Sequence, residues 1–439
     1  MSLISARQRV SLHALILALV MSTAARATES PAGIVNSSEP VGELTLAHAV
    51  EIALAHNPDL TASAYELKAA GARIEQARLR RNPELSIQLD NLAIRGAARG
   101  TEVLASTLSL SQVIEMGGKR AYRTDVAAMD LDLVDIERQA QQLDILAEVT
   151  RRFITVVAVQ ERRVYTQSAR ELAQRTLDAI SARVTAARSP EAERSRARIA
   201  LTRALIEEQQ ADSELRSARS ALAALWGSQE PAFAEAKADL FALEAVEPFD
   251  ALVQGLARNP DFLRFASEGR LREAELRLAQ AQARPNLTFS VGVGRFNETH
   301  DTGLSVGFSM PLPLFDRNQG AIHEAQVRHA QTDVQRQAAF LRARAAVYGL
   351  YQELVASRTR LETLRAEALP QAQQALDQTQ YGYERGRFSY LELATAQQEL
   401  PELRVAMIAA AADYHRLLAE IERLTGAPLT VAATQQDLP

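Results

Sequence analysis

The sequence predicts a mostly α-helical, internally duplicated protein: long antiparallel coiled-coil helices plus a small β part of four transmembrane strands per chain. Three observations predict this class. Very long stretches lack both glycine and proline, four short stretches alternate apolar with small polar residues, and the same order of signals occurs twice within 439 residues.

Composition narrows the alternatives. Hydrophobic residues make up 47% of the chain but aromatics only 5%, so the apolar content is Ala, Leu and Val. With 19 Gly and 15 Pro, both scarce for this length, a loop-rich all-β protein is disfavoured. Cysteine is absent, which excludes disulfides, thiolate metal sites, Cys nucleophiles and a Cys-linked lipid anchor. A net charge of −5 argues against nucleic acid as a partner.

Residues 1–27 carry the features of a cleaved secretory signal peptide: Arg7 and Arg9, the apolar run Leu12 to Met21, and the small-x-small site Ala25-Arg26-Ala27. Its removal takes away three arginines and brings the net charge from −5 to −8. No later segment offers the roughly 20 apolar residues of a spanning helix, so any membrane passage must be by β-strands.

The duplication divides the remainder into a first repeat, 28–245, a second repeat, 246–427, and a tail, 428–439. His56-Asn57-Pro58-Asp59-Leu60 returns as Arg258-Asn259-Pro260-Asp261-Phe262, 202 residues later, and Pro83 returns as Pro285 at the same offset. Each repeat opens with a short amphipathic helix (Leu46 to Ala55; Phe249 to Ala257). Asn-Pro breaks it, because the residue before proline is pushed out of the helical region. A second helix runs from Asp59 to about Arg81 and from Asp261 to about Arg284, ended by Pro83 and Pro285.

Strands are expected at about 85–94 and 103–112, then at about 286–296 and 303–311. Leu287, Phe289, Val291 and Val293 alternate with Thr288, Ser290, Gly292 and Gly294. Leu304, Val306, Phe308 and Met310 alternate with Ser305, Gly307 and Ser309. Period-2 patterning of this kind makes one apolar face and one small polar face. About ten residues is the length at which a tilted strand crosses a bilayer.

Long helical hairpins follow, over 119–226 and 318–425. Lys119 to Ser189 contains no Gly or Pro over 71 residues, roughly 100 Å of helix. Gly349, Pro370 and Pro401 interrupt the second hairpin. The stripe Leu143, Leu146, Val149, Phe153, Val156 and Val157 marks a coiled-coil seam. Four strands cannot close a transmembrane barrel, whose smallest form has eight. Three chains supply twelve, so the expected assembly is a trimer with a 12-stranded β-barrel in the outer membrane and an α-barrel in the periplasm.

With these features the chain resembles the TolC-like outer-membrane factors. Gly117-Gly118-Lys119-Arg120 and Pro311-Leu312-Pro313-Leu314-Phe315-Asp316-Arg317-Asn318-Gln319-Gly320 resemble the strand-to-helix junctions of their heavy-metal (CzcC-like) efflux branch. The resemblance implies a non-enzymatic exit duct of a tripartite efflux system, without cofactors. It implies as partners two further copies, a periplasmic adaptor (membrane fusion protein), an inner-membrane RND transporter and outer-membrane lipid. It also points to the hairpin tips. Tyr383 and Glu392 match positions of a periplasmic gate, where a tyrosine joins closure contacts and acids ring the pore; Arg387 adjoins the basic closure position, which falls on Phe388. Arg188, Ser189, Pro190, Gly386, Phe388 and Ser389 are the adaptor-contacting tip candidates. His323 and His329 are six apart and lack ligand spacing, so no metal site is expected. Two alternatives remain: the same duct for drugs or secreted proteins, or a soluble periplasmic coiled-coil scaffold.

Overall fold

The computed structural model describes residues 40–90, 105–243, 246–297 and 299–426. The expected signal peptide, the tail and the tip of the first strand hairpin lie outside the described residues.

Elements follow in two similar series. The first is β1 (Gly42–Leu44), α1 (Leu46–His56), α2 (Pro58–Arg78), β2 (Glu84–Asp90), β3 (Ala105–Ile114), α3 (Lys119–Thr185) and α4 (Glu191–Ala223). The second is β4 (Phe233–Ala236), α5 (Phe249–Leu256), α6 (Pro260–Gln282), β5 (Leu287–Phe296), β6 (Thr302–Ser309), α7 (Gln319–Thr363), α8 (Leu369–Glu384) and α9 (Tyr390–Thr425). No helix among the described residues is long and apolar enough to cross a membrane.

Three details depart from the sequence expectation. β1 and β4 form a parallel two-stranded ladder that three or four residues could not announce by periodicity. Helix α3 stops at Thr185, four residues before the Gly- and Pro-free run ends, because Ala187 adopts a left-handed conformation (φ 55°). Between α7 and α8 the helix widens into one π turn, Leu364–Ala368, just ahead of Pro370, whose ring and missing N–H disturb the α ladder.

The Asn-Pro-Asp repeats act as two-sided locks. Asn57 caps α2, its Oδ1 accepting from the amides of Asp59 (2.9 Å) and Leu60 (3.1 Å). Its Nδ2 donates to Leu225 O at 2.8 Å, at the end of the returning hairpin. Asn259 does the same in the second series, accepting from Asp261 (2.8 Å) and donating to Arg423 O (2.6 Å). Proline at the first helical position needs no donor. Each repeat thus ties the start of its second helix to the end of its own long hairpin.

The four-stranded sheet runs β2-β3-β5-β6, antiparallel throughout. Its register aligns like with like. Ile87, Leu108, Val293 and Leu304 form one row across all four strands, and Leu85, Leu110, Val291 and Val306 form another. The rows between them hold Ser86, Ser109, Gly292 and Ser305, with Ser86 Oγ 2.7 Å from Ser109 Oγ. A one-residue slip would mix the faces, so the pattern fixes the pairing. The helices beside the sheet keep the same lateral order, α2-α3-α6-α7.

At the strand-to-helix junction, Gly117 and Gly118 both have positive φ (74° and 75°), which admits the sharp turn into α3. Glu115 is nearly buried there and accepts from Arg123 Nη1 at 2.8 Å; Arg123 also donates to Ala77 O (3.1 Å) and Leu79 O (3.2 Å).

The main core lies midway along the helices. α1 and the β1–β4 ladder pack there on Phe153, Val156 and Val157 of α3 and Met407 to Ala412 of α9. Trp226 is 2% exposed in this core with Phe233 tilted against it at 6.3 Å.

Candidate functional site: the hairpin tips

Both long hairpins turn with the same backbone device. In the second tip, Gly386 N donates to Tyr383 O (3.0 Å) and Arg387 N to Gly382 O (2.8 Å), closing a Schellman motif with Gly386 at φ 72°. In the first, Ala187 N donates to Val184 O (2.9 Å) and Arg188 N to Arg183 O (2.8 Å). The tips are therefore structural equivalents. Ala187 corresponds to Gly386, Arg188 to Arg387, Ser189 to Phe388, Pro190 to Ser389 and Glu193 to Glu392.

The gate candidates occupy distinct environments. Tyr383 is buried (7% exposed) against Ile180, Tyr390 and Leu393. Its hydroxyl donates to Glu193 Oε2 at 3.0 Å, across to the first hairpin. The Arg183 guanidinium lies 4.7 Å from the Tyr383 ring centroid and also donates to Ser189 Oγ (3.3 Å) and Tyr383 O (3.4 Å). Burial, aided by Glu193, pushes the Tyr383 phenol above its ordinary pKa, against the opposing effects of Ser189 and Arg183. The phenol therefore stays a neutral donor.

Glu392 closes a capping box. Ser389 Oγ accepts from Glu392 N (3.3 Å), and Glu392 Oε2 accepts from Ser389 N (2.7 Å) and Ser389 Oγ (2.8 Å). Those bonds, the backbone one first, hold the carboxyl below the usual carboxylate range. The other carboxylate oxygen accepts no hydrogen bond among the described residues. Pro190 caps α4 with no side-chain bond, which leaves the equivalent acid, Glu193, for Tyr383. Arg188 and Arg387 are both exposed, and neither guanidinium has an ion-pair partner among the described residues. Phe388 folds back on Gly382, where an added Cβ would meet its ring at 2.0 Å.

Sequence reasoning missed Arg183, Glu193 and Gly382. The duplication held the signal for Glu193, since it follows Pro190 by three residues as Glu392 follows Ser389. Above the tips, a groove of about 920 Å³ runs between α4 and α9, bordered by Arg196, Ile199, Arg203, Leu391 and Val405. The described residues contain no group of three His, Asp or Glu able to hold a metal.

The family model for the outer membrane efflux protein matches residues 49–228 and 251–427, both repeats including both tips. The chain belongs to the outer membrane efflux protein family. The cobalt-zinc-cadmium resistance protein CzcC of Cupriavidus metallidurans is 32% identical to this efflux protein, over 88% of this chain and 91% of its own length. The outer membrane protein TolC of Escherichia coli is 24% identical, over 79% of this chain and 76% of its own. The crystal structure of the outer membrane protein VceC of Vibrio cholerae matches with a TM-score of 0.72 at 20% identity, covering 87% of this chain and 96% of that one. That likeness is one of fold.

Proposed function

We propose that this efflux protein is the trimeric outer-membrane exit duct of a tripartite RND-type system exporting heavy-metal cations. The likeness to a cobalt-zinc-cadmium resistance protein along nearly the whole chain carries the cargo assignment. Three copies close the wall. Among the described residues β2 and β6 have no strand on their outer side, and each is antiparallel to its neighbour, so β6 of one copy meets β2 of the next in the sense a ladder needs.

The helices support the same neighbour relation. Along α7, Val327, Val334, Leu341, Tyr348 and Val355 recur every seventh residue, and all are exposed. Along α2, Ala62, Tyr65, Ala69 and Ala72 lie on another exposed stripe at three- and four-residue steps, and Leu79, just past the helix end, follows seven residues later. Two such stripes on antiparallel helices make a coiled-coil seam. Apolar sheet rows then face lipid, and the serine and glycine rows face a watery bore.

At the periplasmic end, Tyr383, held by Glu193 and Arg183, latches the second hairpin to the first. Arg387 lies at the gate with it, and Glu392 presents its second carboxylate oxygen to the pore, where acidic rings favour cations. Arg188, Ser189, Pro190, Gly386, Phe388 and Ser389 meet the hairpins of a periplasmic adaptor, which links the duct to an inner-membrane RND transporter. The duct is passive, with no catalytic residue.

The test is growth of a deletion strain on zinc, cobalt, nickel, cadmium, copper and silver salts, with detergents and dyes alongside. Hypersensitivity to a few metals, restored by the intact gene, supports the assignment and names the ion. Sensitivity to organic compounds alone leaves a duct with a different cargo.

A further inference from the structure

We infer that the periplasmic rim of the sheet binds anionic phospholipid headgroups, at three seams each completed by two copies of the chain. The inference rests on the trimeric barrel proposed above. Two irregular segments form the outer corners of this rim, 79–83 before β2 and 310–318 after β6. They sit at opposite edges of the sheet within one chain. Closure of β6 onto the next copy's β2 brings them side by side.

The chemistry of the two segments is complementary to a lipid interface. Alternation along β6 carries Leu304, Val306, Phe308 and Met310 on the apolar face, and Leu312 and Leu314 follow in the same phase. Phe315 is 91% exposed, more than any other large apolar residue among those described. Leu79 is exposed on the other edge. Pro311 and Pro313 have no backbone N–H, so this segment enters an apolar layer with two fewer donors to satisfy.

Beside these side chains stand Arg80, Arg81 and Arg317, all exposed. Among the described residues, the Arg80 and Arg317 guanidiniums bond to nothing, and Arg81 reaches Glu115 only at 3.8 Å. No acid forms an ion pair with Arg80 or Arg317 among the described residues. Glu115 is taken by Arg123, Asp316 accepts from the Asn318 amide at 2.9 Å, and Glu84 shares the phase of the polar rows with Ser86. Apolar side chains in the acyl layer with unpaired guanidiniums at phosphate depth are the arrangement that holds an anionic headgroup.

The full chain carrying Phe315→Trp, reconstituted in vesicles of phosphatidylethanolamine and phosphatidylglycerol, tests the site. Bromine is placed on the acyl chains of one lipid or the other at equal mole fraction. The only native tryptophan, Trp226, is buried in the core midway along the helices and serves as an internal unquenched reference. Brominated phosphatidylglycerol is expected to quench the introduced indole about twofold more than brominated phosphatidylethanolamine. Adding Arg80→Gln and Arg317→Gln is expected to erase that difference without changing the trimer's mass. Equal quenching by both lipids in the parent overturns headgroup recognition. No quenching by either overturns the site, because the neighbouring copy then covers it. Failure of the barrel itself shows separately, as loss of a detergent-stable trimer and of conductance in the same vesicles.

Discussion

Tyr383 spans the two hairpins through a single hydroxyl, and its loss is separable from loss of the ring. Tyr383→Phe keeps the packing on Ile180 and Tyr390 but leaves Glu193 without its donor, at a cost of about 1.5–3 kcal/mol for a bond to a charged acceptor. Hydrogen exchange at the start of α9 should rise, and planar-bilayer conductance should show more frequent openings, with little change in the trimer's melting. The turn backbones predict opposite signs at equivalent positions. Gly386→Ala places a Cβ at φ 72° and should destabilise the tip by about 1 kcal/mol, whereas Ala187→Gly relieves a comparable cost at φ 55°. Local exchange at the two tips measures both. The Glu392 capping bonds set a pH dependence. Its folded carboxyl titrates below the unfolded value of about 4.3, so the stabilisation is present above that value and is lost as pH falls through the folded pKa. Acid should fray the first turn of α9, and Glu392→Gln should lessen that acid effect.

Element by element, what was legible in the sequence was what repeats over many residues. The 202-residue offset, the alternation at Leu287 to Val293 and the long Gly- and Pro-free run all correspond to elements of the structure. The parallel β1–β4 ladder was not legible, because three- and four-residue strands carry no period and their pairing joins residues nearly two hundred apart. The end of α3 was not legible either, since alanine is an ordinary helix residue and nothing in its type announces the left-handed conformation of Ala187. A helix break at Asn-Pro explains only half of the Asn-Pro-Asp units. Their amide donors to Leu225 O and Arg423 O depend on partners more than 160 residues distant. Asn259→Asp retains the cap acceptor but loses the donor, so it should lower the melting temperature while leaving the α6 N-terminus protected from exchange. Asn259→Ala loses both and should cost about 1–3 kcal/mol more than a surface substitution. In the candidate site, Tyr383 and Glu392 came from a local motif, Glu193 was legible through the duplication of the tips, and Arg183 is set apart only by its contacts with Ser189 and Tyr383.

For the whole molecule, the proposed trimer would rest on surfaces that the described residues of one chain leave uncovered: two strand edges, the α7 stripe and the α2 stripe. Leu341→Glu with Val334→Glu puts two charges in the α7 stripe and should shift the detergent-solubilised protein from trimer to monomer, read by light scattering. A double change to glutamate at exposed Arg336 and Arg342, off the stripe, should leave the mass unchanged.

The pairing of β3 with β5 also sets an order of events in biogenesis. Ile114 meets Leu287 across that ladder, with the whole first helical hairpin, β4, α5 and α6 between them. The helical hairpins make local contacts and can form as soon as their residues emerge, but the sheet must wait for the second repeat. Until then the β3 edge that β5 later pairs is open beside the apolar rows, the condition under which chains aggregate or recruit holding chaperones. A chain that stalls halfway therefore carries folded helices on a hairpin with an unmet edge, and disposal of such intermediates is a task this architecture imposes on the cell.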